Sequence, residues 1–575
     1  MDQSRQPQLD AAAQPLRAAM QRACLILLAL LLACGAYLAA ISLAGGSAPF
    51  FAAHYLRSQD MLVAAIFALF WMIAPKFDLA RLGLARLAPT ASGLRWPVLL
   101  ALAAVLVCAG GVGLVFGGYG FAIDEHWARS DATVIGTGAG MVRIPEAWRD
   151  YAGALQPRFA RITPDGWWAS EYLPVNAALQ YLGGTLASPL LVGVAVLAAA
   201  DIARRLLPEA PAAPLVCAVL MVTSSQLLVT GMTPFAMSGH LALNLVWLWL
   251  FLQSDWRAQL AAMPVAMLAI GLHQAVYYPL YAAPFLLEAF LTGRRSAAVA
   301  QGAAIGAAFV FWSAWDSVLY TLLGAQPVIV TETGTGSGTG LLFTRAIWLV
   351  TQFTPANIGL MAINLVRFIT WQNVLVLPLV LVAAAGVIRR PGPWRGMCAA
   401  LVLTSGTVMV LLADQGHGWG YRYLHGHLGS MCLLATFGWY RLPPELRESM
   451  GARALFGAGL ALSLLLVPLR ASQAASFVAP YARADAAMAT IDADVVLVDA
   501  PQHSFALDLV RNDPLLRNRP KRMFAASLSD EQLARLCREH TVARFTDADA
   551  ERFGLDRVPN GLPLARSLEA CRKPR

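Results

Sequence analysis

The sequence predicts an all-α polytopic membrane protein of about thirteen spanning helices, with a small α/β domain at its C-terminus. Three observations predict it. Of the 575 residues, 58% are hydrophobic and 13% are charged, about half the charged fraction that a soluble surface of this length requires. Apolar runs of about 20 residues recur along the chain, the length that crosses a bilayer as a helix. Arg and Lys collect in alternate short loops, the bias that sets membrane orientation.

The candidate spans are approximately 23–45, 61–75, 96–118, 188–204, 212–229, 237–253, 258–273, 275–291, 298–322, 372–388, 397–413, 424–440 and 452–469. The first is too long for a signal-peptide core and lacks a clean small-residue cleavage site, so it reads as a retained anchor. With the N-terminus cytoplasmic, the inner segments hold Arg5, Arg17, Arg22, Lys76, Arg81, Arg86, Arg95, Arg204, Arg205, Arg257, Arg294 and Arg295. Further along they hold Arg389, Arg390, Arg395, Arg441, Arg447 and Arg453. The short outer loops offer only Arg57 and Arg422. The net charge of +9 is then mostly this bias, and no nucleic-acid partner is expected. The expected location is a bacterial inner membrane, with the C-terminus periplasmic and membrane lipids as surroundings.

By chain order the sequence divides into 1–95, an N-terminal tail with two extra spans; 96–470, the main membrane domain with an outer loop over 119–187; and 471–575, a small outer domain. In the loop, 125–134 and 145–155 have helical patterns, the second opened by Pro145. A second outer segment, 323–371, contains a Gly/Thr run from Thr331 to Gly340. Its later part, with apolar Leu342, Ile347, Val350 and Phe353, suits helices lying in the membrane interface. In the tail, Val495–Val498 and Val542–Phe545 read as strands. The stretch 529–539 opens with a Ser-x-x-Gln capping box and continues as an amphipathic helix. Six cysteines, Cys24, Cys34, Cys108, Cys217, Cys398 and Cys432, fall in spans, where Cys acts as a small apolar residue. Cys537 and Cys571 lie in the outer tail and form a candidate disulfide, because an outer compartment permits one. No Cys/His cluster suggests zinc.

Ionisable residues at the ends of spans require an explanation. Asp124 and Glu125 follow directly on the third span in GGYGFAIDEHW, where glycines let the chain leave the helix. A carboxylate there can accept a proton from a hydroxyl or hold a cation; the plain alternative is a solvated pair at a helix end. The loop Asp414-Gln-Gly-His-Gly-Trp-Gly-Tyr-Arg-Tyr423 is dense in donors, with Arg422, His417, Tyr421 and Tyr423. Arg binds phosphate bidentately, or else snorkels to headgroups as an anchor. His240 and His273 lie near the outer ends of their spans and can line one cavity or serve as interhelical hydrogen bonders. His425 and His427 rank below them. Asp316 is an outer acid with no partner legible in the sequence.

An Asp-Glu pair after a span, a loop of about fifty residues, then the acidic-aromatic-proline element Trp167-Trp-Ala-Ser-Glu-Tyr-Leu-Pro174 resembles the GT-C glycosyltransferases. The resemblance is greatest to the branch of protein O-mannosyltransferases and the lipid A aminoarabinose transferase. It extends over roughly 96–470. Two departures are the extra N-terminal spans and Leu173, which interrupts the Tyr-Pro or Lys-Pro pattern. The resemblance implies a GT-C-like fold and inverting transfer of a sugar from a polyprenyl-phosphate donor to a glycan, lipid or protein acceptor on the outer face. It assigns the base to Asp124, with Glu125 as neighbour and second candidate. Glu171, with Tyr172 beside it, would help bind donor, acceptor or a divalent cation, the single cofactor implied. Departing phosphate needs positive groups, which Arg422 and His417 supply. The competing readings are a flippase or transporter of lipid-linked sugars, which should show repeated halves, and an O-antigen polymerase or ligase, whose large outer loop comes late in the chain.

Overall fold

The computed structural model describes residues 6–155, 158–326, 350–351, 353–388 and 391–558. The Gly/Thr run Thr331–Gly340, the positions Leu342 and Ile347, the cations Arg5, Arg389 and Arg390, and Cys571 lie outside the described residues. Two compact units result, each assembled from three separate stretches of chain. One comprises Met1–Gly111, Ser188–Trp312 and Leu342–Gln473; the other comprises Val112–Ala187, Ser313–Leu341 and Ala474–Arg575.

The first unit is helical, and the chain is a multi-pass membrane protein. A helix stands at each of the thirteen candidate spans, but among the described residues seven are long and apolar enough to cross a membrane, or eight counting one bent pair. The difference is one of length. Met237–Phe251, Trp256–Ile270 and Tyr277–Leu291 have 15 residues each and Val376–Val387 has 12. At 1.5 Å per residue these reach about 18–23 Å, short of the roughly 30 Å hydrocarbon core. The expected span over 212–229 is broken into Ala213–Val222 and Ser225–Gly231, bent by 63°. Ser224 causes the break by capping the second helix, its hydroxyl accepting from the Leu227 N–H at 3.2 Å.

The interfacial reading of 341–370 is corrected for helix Pro355–Thr370 alone: Leu342 and Ile347, on which it rested, lie outside the described residues, and Val350 and Phe353 are exposed. Helix Pro355–Thr370 buries Gly359, Met361, Ala362, Ile363, Asn364, Val366 and Arg367. A helix lying in the interface would keep its polar side chains in water. Here Gly359 instead lets the helix approach Tyr37, whose ring would lie 2.3 Å from an added Cβ.

The second unit holds two small sheets. Strands β1 (Val142–Arg143), β2 (Ala160–Ile162) and β3 (Trp167–Ser170) pair antiparallel in the order β1-β3-β2. Strands β4 (Val495–Asp499), β5 (Lys521–Phe524) and β6 (Val542–Thr546) pair parallel in the order β5-β4-β6. The five residues of β4 are all buried, as a central parallel strand demands. Helix Asp530–Glu539 crosses from β5 to β6, and its N-terminus is held by the Ser529/Gln532 capping box. The two sheets share one core, in which Val142, Ile144, Tyr151, Leu155 and Trp168 pack with Val495, Leu497, Met523, Leu533 and Leu536.

Candidate active site

The chain leaves helix Arg95–Leu114 through Gly117 and Gly118, both left-handed at φ 58° and 72°, a conformation open to glycine without steric cost. Helix Ile123–Gly136 then starts with Asp124 and Glu125 in its first turn, where carboxylates favour the helix dipole. Asp124 and Asp131 are seven residues apart and so share a face. That face meets the Trp167–Pro174 element twice: the Tyr172 hydroxyl donates to the Asp124 carboxylate, and the Ser170 hydroxyl donates to Asp131. The two segments on which the family resemblance rests are therefore joined by hydrogen bonds within one unit.

Glu125, one position on, turns away from that face and is 1% exposed. Gly120 makes room for it: a Cβ there would lie 2.9 Å from the Glu125 Cβ and 3.0 Å from Oε2. Burial pushes the Glu125 carboxyl up to about 8, opposed by Arg129 and Arg511 and reinforced by Asp124. Asp131 and Asp508 are each pushed up to about 6, again by burial. His126 is held well below its ordinary value by burial and by Arg511, Arg522 and Arg129. The neighbouring acids thus differ in setting, Asp124 half-buried and hydrogen-bonded, Glu125 enclosed with its carboxyl pushed upward by burial.

Arginines fix the turn before them. Arg129 donates to the Gly118 carbonyl, and the Arg511 fork donates to the carbonyls of Gly120 and Phe121 while lying 4.3 Å from the Tyr119 ring centroid. Glu171 is exposed at the end of β3, its backbone N–H donating to the Phe159 carbonyl at 2.8 Å. Asp316 has a partner, Arg161, which also donates to the Ser170 carbonyl at 2.8 Å. Among the described residues no group of three His, Cys, Asp or Glu side chains converges as a metal site. Cys537 is in a disulfide; Cys571, its expected partner, is outside the described residues.

In the other unit, the loop Asp414–Tyr423 is held from beneath. Arg367 donates to the Gly420 carbonyl at 3.0 Å and the Gly418 carbonyl at 2.7 Å. The same guanidinium reaches Asp60 at 2.9 Å and Gln59 at 3.1 Å. Arg470 donates to Asp60 at 3.1 Å, and the Trp371 indole does so at 3.0 Å. Asp60, Arg367 and Arg470 are all buried. His417 pairs with the Tyr55 hydroxyl at 2.5 Å through Nδ1. Burial, with Arg367 and Arg422 nearby, holds its imidazole well below the ordinary value, so it offers a neutral N–H at most. Tyr421 is buried, its carbonyl accepting from Gln226 at 2.8 Å.

Arg422, Tyr423 and His240 line one narrow pocket, together with Met237, Asn244, Tyr277, Thr404, Gly426 and His427. Tyr423 stacks on Tyr277 at 5.5 Å, and the Arg422 guanidinium lies 5.1 Å from the Tyr423 ring. His240 Nε2, Asn244 Oδ1 and His427 Nδ1 are buried there without a hydrogen-bond partner, a costly condition that a polar ligand would relieve. His273 is buried but is not among the lining residues.

Compared with solved structures, the chain is similar to the crystal structure of ArnT from Cupriavidus metallidurans bound to undecaprenyl phosphate. The identity is 12%, the TM-score 0.48, and the match covers 74% of this chain and 86% of that one. The apo state of the same protein gives 12% identity and a TM-score of 0.44 over 72% and 84%. At these scores the likeness decides neither fold nor activity. No family model and no curated protein matches the chain.

Sequence reasoning missed the Asp60–Arg367–Arg470 cluster and the pocket residues Asn244, Tyr277 and Thr404. A signal for the first was present. Ionisable residues inside or at the ends of apolar helices come paired, and one acid with two arginines in apolar stretches is such a set. No comparable signal marked the pocket, whose walls come from distant helices.

Proposed function

We propose that the chain is a membrane glycosyltransferase of the GT-C type, transferring a sugar from a polyprenyl-phosphate donor to an envelope acceptor on the outer face. The observation that carries this reading is the bond from Tyr172 to Asp124, which ties the acidic pair to the aromatic-proline element. In this reading Asp124 takes the proton of the acceptor hydroxyl as its oxygen attacks the anomeric carbon. The bond from that carbon to the phosphate oxygen breaks with inversion, and polyprenyl phosphate leaves with the electron pair. A half-buried carboxylate suits the base, since it must both ionise and meet a substrate. Glu125 is enclosed, and burial favours its neutral form, in which it adds no second negative charge beside the base. Glu171, exposed one residue before Tyr172, remains the candidate contact for substrate or a divalent cation.

The pocket at Arg422 is assigned to the donor phosphate. A fixed guanidinium supplies charge and a fork of donors, and His240, Asn244 and His427 supply neutral groups still lacking partners. Titrating purified protein with polyprenyl phosphate tests this assignment. Arg422→Ala should weaken binding by about tenfold or more, the scale of a charge-assisted bond, with Arg422→Lys restoring part of it. Unchanged affinity in Arg422→Ala would reduce the residue to a membrane anchor.

A further inference from the structure

A guanidinium meets a phosphate most tightly when its fork of donors is held in place beforehand. In the first unit, the chain from Leu412 to Tyr421 forms neither helix nor strand, so its buried carbonyl groups need partners from elsewhere. Arg367 supplies two of them. Its Nε donates to the Gly420 carbonyl at 3.0 Å and its Nη2 to the Gly418 carbonyl at 2.7 Å. Its Nη1 donates to Asp60 at 2.9 Å and to Gln59 at 3.1 Å. Those two residues close a π turn, Leu56–Asp60, set between helices Phe50–Tyr55 and Met61–Ile73, a wide turn that recurs at functional sites.

Gly418 is the point of contact with Arg422. A Cβ on Gly418 would lie 3.1 Å from the Arg422 Cβ and 3.3 Å from its Cγ and Cδ, so Arg422 lies against bare backbone. The carbonyl that Arg367 grips therefore belongs to the residue on which the Arg422 side chain rests. Stability alone does not account for such a cluster. A buried carboxylate with two guanidinium groups loses in desolvation about what it gains in attraction, whereas two fixed loop carbonyls place a neighbouring side chain. Arg470 provides the contrast: it grips Asp60 at 3.1 Å, and its other bonds go to Gln59, Thr370 and Gln473 rather than to the loop. We propose that Arg367, anchored by Asp60, is the positioning residue for Arg422, holding Gly418 and Gly420 so that the Arg422 guanidinium is in place for the donor phosphate. The inference rests on the reading of Arg422 as the donor-phosphate ligand.

Titration of the purified full chain with polyprenyl phosphate, paired with hydrogen exchange, tests it. Arg367→Lys keeps a charge beside Asp60 and loses the fork, so affinity should fall by roughly threefold or more, up to the loss in Arg422→Ala. A residue that acts through Arg422 adds nothing once Arg422 is gone, so Arg367→Lys with Arg422→Ala should bind as Arg422→Ala does. Arg470→Lys alters the same cluster without touching the loop and should bind as the parent does. Gly418→Ala leaves Arg367 and Asp60 intact, so it should fold, and its methyl group should displace Arg422 and weaken binding. Additive losses in the double variant, equal losses in Arg367→Lys and Arg470→Lys, or parent-like affinity in both Arg367→Lys and Gly418→Ala would overturn the proposal and leave Arg422 as the phosphate ligand. Unchanged affinity in Arg422→Ala would instead remove the donor reading. Faster amide exchange over 416–423 in Arg367→Lys, and not in Arg470→Lys, would then still uphold the clamp, and equal exchange in the two would remove it as well.

Discussion

Glu125 ionises near 4.5 in an ordinary setting and near 8 in the folded protein. Between those values the folded chain holds a proton that the unfolded chain has released. Stability therefore falls as pH rises through that window, by about 1.4 kcal/mol per pH unit for one such group, and is unaffected by Glu125 below it. Asp131 and Asp508, raised from 3.8 to about 6, act in the same direction over a lower window. Thermal unfolding followed from pH 4 to 9 should show this decline, and Glu125→Gln should flatten its upper part; an unchanged slope in that variant would show that Glu125 is ionised when folded. Asp60 is a buried carboxylate held by two guanidinium groups. Asp60→Ala leaves both arginines uncompensated, so a loss of about 3–5 kcal/mol is expected, visible as a collapse of yield or thermal stability. A variant as stable as the parent would mean that water or lipid already screens the cluster.

Among the elements, the turn between Gly117 and Ile123 carries the most weight, because it positions both acids. Three carbonyls, of Gly118, Gly120 and Phe121, are held by Arg129 and Arg511. Removing the Arg511 fork should leave two of them to water, so backbone amides over residues 118–126 should exchange about tenfold faster or more in Arg511→Ala. Unaltered exchange would show that the glycines alone define the turn. The glycine-rich exit itself was legible in the sequence, as were helix 123–136, the capping box at Ser529 and the strands at Val495 and Val542, because each rests on local periodicity or capping. The Arg511 clamp was not legible, since it joins residues nearly four hundred positions apart. The burial of helix Pro355–Thr370 was not legible for a related reason: the apolar spacing read in 341–370 lay at Leu342, Ile347, Val350 and Phe353, outside the helix, and the pairing of Arg367 with Asp60 joins distant positions.

For the whole molecule, hydropathy and charge bias revealed a multi-pass membrane protein, and among the described residues fewer helices have the length to cross than the thirteen runs counted. Short helices and a bent pair look like full spans when only composition is read. The sharing of one core by the 119–187 loop and the tail, through Trp168, Leu155, Val495 and Met523, could not be read from either segment alone. The sidedness expected from the charge bias is a proposal that reporter fusions test: they should place residues 130–165 and the C-terminus outside, with 81–95 and 441–449 inside. A cytoplasmic C-terminus would reverse the orientation and remove the outer-face site. The central claim is that Asp124 is the base of a lipid-linked sugar transfer, and its most direct test is donor consumption by membranes carrying single variants, supplied with extracted polyprenyl-phosphate sugars. Asp124→Asn should slow consumption about a hundred- to ten-thousandfold while polyprenyl phosphate still binds, and Glu125→Gln should stay within a few fold of the parent at pH 7. Full activity in Asp124→Asn would contradict the account.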